Sequence, residues 1–366
     1  MSPEDTSDTP SQKAVNQQVP QNEDDISPIQ TPGARSKSPW KMPRKAWVQV
    51  LKRTWVMAGF HNLNLLAAGV AFFTFLSITP LIAATVMIYG LVGDVETVQR
   101  QMAGLTDVLP ADASTLIEEQ LVSVVTTNAS VTGFALAVAL FFAVYGGMRA
   151  ANGLVSALNV INEEHETRNI IQVTLRAASL TLAAIGIAIV GVSSGSLFAW
   201  LQTQSTDLIG PVAQFFVKLL TWIFAILLAS TGFATIMRFG PDRATAQWRW
   251  LMPGALLATF LFIGISFGFS LYVAYVSDYN ATYGSLSAIV VFLMWLFLSA
   301  YCILIGALIN AEAERQTVQD STTGPEQPLG ERGAVMADTT LIEGHKLSMH
   351  QKRLRRKADK AARKAT

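Results

Sequence analysis

Hydrophobic and polar positions alternate along this chain in blocks, not in short periods. Six apolar runs dominate it: Leu65 to Leu91, Val131 to Ala151, Val173 to Leu201, Val212 to Met237, Leu251 to Val276 and Tyr283 to Ile309. A helix needs about 20 apolar residues to cross a hydrocarbon core of about 30 Å. Lipid offers no partner for backbone N–H and C=O groups, so each run is read as an α-helix. A membrane barrel would show short alternating segments instead. The pattern predicts an all-α polytopic membrane protein with six transmembrane helices.

The same pattern predicts short amphipathic helices lying at the membrane surface. In WKMPRKAWVQVLKRTWVMAGF, Trp47, Leu51 and Trp55 recur every four residues among basic positions, which describes an interfacial helix leading into the first span. Between the first two spans, Thr115 and Glu118 have capping-box spacing, and Leu116, Leu121, Val124 and Val125 follow as an apolar stripe. A polar knot, DYNATYGSLSA (278 to 288), separates the last two runs. Asp278, Asn280 and Gly284 suit a tight turn there. Tyr272, Tyr275, Tyr279 and Tyr283 cluster around it, as in an aromatic belt.

Composition agrees. Hydrophobic residues make up 51% of the 366 and charged residues only 14%, with a mean hydropathy of +0.36. A soluble domain carries about 25% charged residues. The positive charges orient the spans. Lys41, Arg44, Lys45, Lys52 and Arg53 precede the first span, Arg168 lies between the second and third, and Arg238, Arg243 and Arg249 lie between the fourth and fifth. Arg100 is the one basic residue in a loop on the opposite side. That asymmetry predicts a multi-pass protein of the bacterial cytoplasmic (inner) membrane with both termini in the cytoplasm.

Residues 1–39 are rich in Pro, Ser, Gln, Asp and Thr and are expected to be a disordered cytoplasmic tail. Residues 40–315 form the transmembrane domain. Residues 316–366 are expected to be a flexible basic tail, with 317–345 as linker. Its end, KLSMHQKRLRRKADKAARK (346–364), carries nine Lys or Arg and one acid. It is either a solvated tail that reinforces orientation or a helix held on anionic lipid. A basic run alone does not specify nucleic acid, and none is expected as a specific partner.

Four stretches carry a resemblance: LAAGVAFFTFLSITPL (66–81), RAANGLVSALNVI (149–161), WLMPGALLATFLF (250–262) and NATYGSLSAIVVFLMWLFLSAYCILIGALINAE (280–312). Together they resemble the YihY/BrkB family of bacterial inner-membrane proteins over about residues 45–315. Asn280, Tyr283, Gly284, Ser285, Gly306, Asn310 and Glu312 belong to the last and most specific of them. The resemblance implies six transmembrane helices with cytoplasmic ends. It implies little about activity: members have been named for serum resistance and for a ribonuclease, and some are suspected of moving lipids or solutes.

The residues themselves argue against enzyme chemistry. Metal-dependent phosphodiester cleavage needs clustered His, Asp and Glu. The chain has four His, and His165 in NEEHETR lacks the spacing that puts ligands on one helix face. No catalytic residue, metal ligand or cofactor is called for. Cys302 is alone in the last span and reads as packing.

What remains is polar chemistry inside the membrane, where an ionisable group is costly. Lys218 lies in the outer half of the fourth span; either its stem snorkels to the surface or it lines a cavity and meets an anionic group. Arg149 divides the same way, and Asn152 and Asn159 follow it at helical spacing. Ser77, Thr79 and Pro80 fall inside the first span, where proline either kinks a packed helix or breaks one to form a substrate site. The GxxxG pairs Gly191/Gly195 and Gly264/Gly268 are expected to pack within the chain. Two functions stay open: a transporter or lipid translocase whose path holds these residues, and a non-transporting envelope scaffold acting through its loops and tails. A ribonuclease is the remote third.

Overall fold

Asn62 has φ +52°, and the left-handed turn it makes with His61 separates the first two long helices. Asparagine tolerates that conformation better than most residues. The structure, a computed structural model, describes residues 31–92, 133–205, 211–275 and 286–339. In order these form α1 (Arg44–Phe60), α2 (Leu63–Val92), α3 (Gly133–Ile161), α4 (Ile170–Ser205), α5 (Pro211–Phe239), α6 (Trp248–Tyr275), α7 (Ser287–Glu314) and the single turn α8 (Val335–Asp338). Among the described residues there is no β-strand, only an isolated bridge between Ala246 and Thr322.

Within the described residues, each apolar run read from the sequence falls on one of the helices α2 to α7. Four of them (α4, α5, α6 and α7) are long and apolar enough to cross a membrane. A fifth crossing results if α1 and α2, bent by 66° at their break, are taken as one span. Their surfaces are inverted relative to a water-soluble helix. Leu175, Leu182 and Ile189 on α4, and Phe215, Trp222 and Leu227 on α5, are exposed. Water would penalise such a surface at about 25 cal/mol per Å²; hydrocarbon does not. This is an all-α polytopic membrane protein. On α1, Trp55 and Leu51 of the apolar stripe are also exposed, 82% and 50% accessible beside Lys52, as an interfacial helix requires, while Trp47 packs on a buried cluster.

The chain divides into two units. The larger, Thr54–Asp242 with Leu251–Asn310, is a circuit of neighbouring helices. Gly146 and Gly153 of α3 lie against Ser77 and Phe73 of α2. Gly147 faces Thr181 of α4, and Gly232 of α5 faces Ile187 of α4. Ser230 and Thr259 share a 2.9 Å hydrogen bond between α5 and α6. Trp295 of α7 donates to Ser266 of α6 at 3.1 Å, and Phe292 and Leu296 of α7 pack on Ala71 of α2. Small residues permit these close approaches in lipid, where helices gain no hydrophobic drive toward each other. Among the described residues, a Cβ on Gly191 would lie 3.5 Å from Leu228, while one on Gly195, Gly264 or Gly268 would meet no neighbour within 4 Å. The expectation of packing within the chain thus holds for one glycine of the four.

The smaller unit comprises Met1–Arg53, Arg243–Trp250 and Ala311–Thr366. It differs from the sequence reading, which gave residues 31–39 to a disordered tail and 317–345 to a linker. Residues 31–39 and 315–339 have a defined conformation. Val50, Val318 and Met336 are buried in this unit, and Met42, Ala46 and Trp250 form one cluster. Polar pairing accompanies them. Arg332, 4% exposed, donates to the carbonyls of Gln327, Ala337 and Val318 at 3.0, 2.9 and 2.7 Å. Gln316 donates to the Pro32 carbonyl and to Gln49, and the Val318 N–H donates to the Ala34 carbonyl. Glu312, fully buried, pairs with Arg53 at 2.8 Å and with Arg315 at 3.6 Å. Glu314 pairs with Arg243 and accepts from Ser321. Composition-based reading misses such an arrangement because charged and polar residues predict disorder when their pairing is unknown.

Candidate functional site

In the larger unit, α3 carries a polar stripe along an apolar helix. Tyr145, Arg149, Asn152, Ser156 and Asn159 follow at intervals of four, three, four and three residues. At 100° per residue these share one face, extending about 21 Å along the axis at 1.5 Å per residue. Arg149 donates to the Tyr145 hydroxyl at 3.0 and 2.7 Å, and its guanidinium lies 5.1 Å from that ring's centre. Both residues are exposed, as is Ser156. Asn152 is half-buried, and its buried Oδ1 accepts no hydrogen bond among the described residues. An orphaned carbonyl in a low-dielectric setting costs about 1–3 kcal/mol, which marks Asn152 as the position on the stripe most in need of an outside donor.

The stripe ends in an ionic cluster. Asn159, buried, donates to Glu166 at 2.8 Å and accepts from the Asp242 N–H at 2.7 Å. Arg168 forks onto both Glu166 oxygens at 2.7 and 2.8 Å, reaches the Gly240 carbonyl at 3.2 Å and lies 3.5 Å from Asp242. The Thr167 N–H and hydroxyl donate to Asp242. Gly240 is required here, because a Cβ would fall 2.7 Å from Leu158 and from the Ile236 carbonyl. The Arg168 hydrogen bond, opposed by burial and helped by Asn159, holds Glu166 below the ordinary carboxylate range. Burial pushes Asp242 upward, but the Thr167 bonds and Arg168 outweigh it and leave its carboxyl lowered. The Glu166 bond raises Arg168. These groups are fixed charges at neutral pH, suited to anchoring the helix ends.

The other sequence candidates are dispersed. Lys218 is exposed on α5. Ser77 is buried at the α2–α3 crossing, and its hydroxyl donates back to the Thr74 carbonyl at 2.7 Å. α2 runs without interruption through Thr79 and Pro80, whose side chains lie outside the described residues. Gly306 and Asn310 sit together: Asn310 accepts from the Gly254 N–H at 2.8 Å and donates to the Leu251 carbonyl at 2.7 Å. Glu312 belongs to the smaller unit. Asn280, Tyr283, Gly284 and Ser285, the loop helices after Thr115 and the tail 346–364 lie outside the described residues. One cation was missed in the sequence: Arg176 lies within the third run, and the apolar residues around it obscured it. Among the described residues no three His, Cys, Asp or Glu are grouped to hold a metal ion.

Fold and stripe define a class, a helical membrane protein with a polar face on one of its helices. Comparison defines the family. The family model described as virulence factor BrkB matches residues 54–330, well over half of the chain, and the chain belongs to that family. A UPF0761 membrane protein of Rhodospirillum centenum is 27% identical over 325 residues, covering 85% of this chain and 67% of that protein. A UPF0761 membrane protein of Nitrosospira multiformis is 26% identical over 253 residues, covering 69% and 57%. YfkH of Bacillus subtilis, whose name marks it as ribonuclease-like, is 29% identical over 205 residues, covering 55% and 73%. No solved structure matches the chain.

Proposed function

We propose that this protein is a transporter or lipid translocase of the bacterial inner membrane, with its termini in the cytoplasm, and that the polar face of α3 lines the route. The observation that carries this is Asn152: a buried carbonyl oxygen without a donor among the described residues, between Arg149 and Asn159 on the same face. A purely structural helix gains nothing from such an atom, whereas a passing hydroxyl, amine or water would satisfy it. Arg149 supplies a cation beside it for an anionic group, as intramembrane charges do on substrate pathways. Lys218 on α5 is a second cation for such a group. Reconstitution into liposomes with lipid-scrambling and solute-flux assays tests this reading. Protein-dependent movement supports it; a protein correctly inserted yet silent toward every lipid and solute class contradicts it.

A second reading, an envelope scaffold that transports nothing, draws support from the smaller unit. The ion pairs Arg53–Glu312 and Arg243–Glu314, with the bonds from Gln316, Thr317 and Val318 to the carbonyls of Pro32, Ala34 and Ser36, give this unit a defined surface, which suits a docking platform.

A further inference from the structure

α4 and α5 enclose an apolar groove of about 200 Å³ between them, lined among others by Leu180, Ile187, Gly232, Phe233 and Ile236. It lies within stretches long and apolar enough to cross a membrane, Ile170–Gly195 and Gln214–Phe239. Its α4 lining residues Leu180, Ala183, Ala184 and Ile187 recur at helical spacing. Arg176 lies one turn before Leu180 on that same face, about 6 Å further along the axis. Arg176 is half-buried, and among the described residues its side chain has neither an ion pair nor a hydrogen bond. Neither α4 nor α5 contains an Asp or Glu.

We infer that this groove holds one acyl chain of an anionic glycerophospholipid whose phosphate sits on Arg176. An apolar slot facing hydrocarbon excludes water and takes a chain. A guanidinium at its end needs an anion, because an uncompensated charge in a span is expensive. Among the described residues no carboxylate pairs with it, and a lipid phosphate matches the guanidinium fork with two parallel hydrogen bonds. A zwitterionic headgroup brings its own ammonium to the phosphate; an anionic one leaves that charge for Arg176. This is a resident site, and it stands whether or not the protein moves lipid.

The test is native mass spectrometry of the full chain in detergent, titrated with phosphatidylglycerol or phosphatidylcholine. The wild type is expected to retain one phosphatidylglycerol with a preference of about fivefold, the worth of one basic residue beside anionic lipid. Arg176→Gln should bind the two lipids equally, and Arg176→Lys should keep part of the preference. Ala184→Phe, which fills the groove from its exposed side, should weaken both lipids together. Unchanged phosphatidylglycerol preference in Arg176→Gln would return Arg176 to simple snorkelling and overturn the site. If that variant does not accumulate, salt decides with the wild type alone. Loss of preference at high salt supports the site, and salt-independent preference overturns it. A silent transport assay leaves these binding outcomes intact, so the two proposals fail separately.

Discussion

Gly254 of α6 and Gly306 of α7 meet backbone to backbone. A Cβ on Gly254 would collide with the Gly306 carbonyl oxygen and lie 2.5 Å from the Asn310 Oδ1. Both glycines are therefore dictated by approach distance, and Asn310 spans the contact by bonding the Gly254 N–H and the Leu251 carbonyl.

Gly306→Ala should consequently separate the helices and cost about 3 kcal/mol or more, at the upper end for overpacking because the obstacle is backbone. The purified protein should melt at a distinctly lower temperature, while Gly264→Ala, which meets open space, should not. Equal melting of the two variants would dismiss the contact. Asn310→Leu should lose about 1 kcal/mol, within the range of interhelical hydrogen bonds in membranes.

The apolar spans and the interfacial character of α1 were legible in the sequence because lipid leaves a one-dimensional signature: length without charge. The α6–α7 contact was legible only as a motif, since nothing in the spacing of Gly306 and Asn310 says which helix they face. The order in residues 315–339 was not legible at all. It depends on Arg332 finding three carbonyls and on Thr317 reaching the Ala34 and Ser36 carbonyls at 3.0 and 2.9 Å, and long-range polar pairing has no local pattern. Arg176 was hidden for the opposite reason, a single charge inside a strong apolar run.

In the smaller unit, Arg243→Leu should strand the buried Glu314 carboxylate and cost about 3–5 kcal/mol, the usual penalty for breaking a buried pair. The double variant Arg243→Leu/Glu314→Leu removes both charges and should recover part of that loss. Protease accessibility of residues 315–339 reads the difference. A double variant less stable than the single would show that the pair itself, not the orphaned charge, matters.

Acidification should loosen the polar clusters. Glu166 and Asp242 are held below their ordinary values, and Asp320 is too: burial raises it, but bonds from Thr322 and Gln327 and the Arg332 charge prevail. A carboxylate lowered in the folded state contributes stability that is complete above its unfolded value, about 4. That stability is lost as pH falls through the lower folded value. The thermal midpoint should hold from neutral pH to about 5 and then decline. Arg168→Leu should be destabilised most at neutral pH, with the gap to wild type closing in acid. A gap that widens in acid would reverse the assignment.

Orientation is testable by cysteine labelling in spheroplasts, with the buried Cys302 as a quiet background. Cysteines at Asp107 and Asp278 should react with an impermeant reagent from outside, and one at the exposed Arg249 only after lysis. The opposite pattern would invert the topology.

If the α3 face is a route, Asn152 is the position that shows it. Asn152→Leu keeps the branching and heavy-atom count of the side chain, removes the orphaned carbonyl and should leave the melting temperature unchanged or raised. In proteoliposomes matched for inserted protein, the account predicts that this variant loses most of the lipid or solute movement shown by the wild type, while Lys218→Gln loses less. Full movement by Asn152→Leu at equal insertion would contradict the claim.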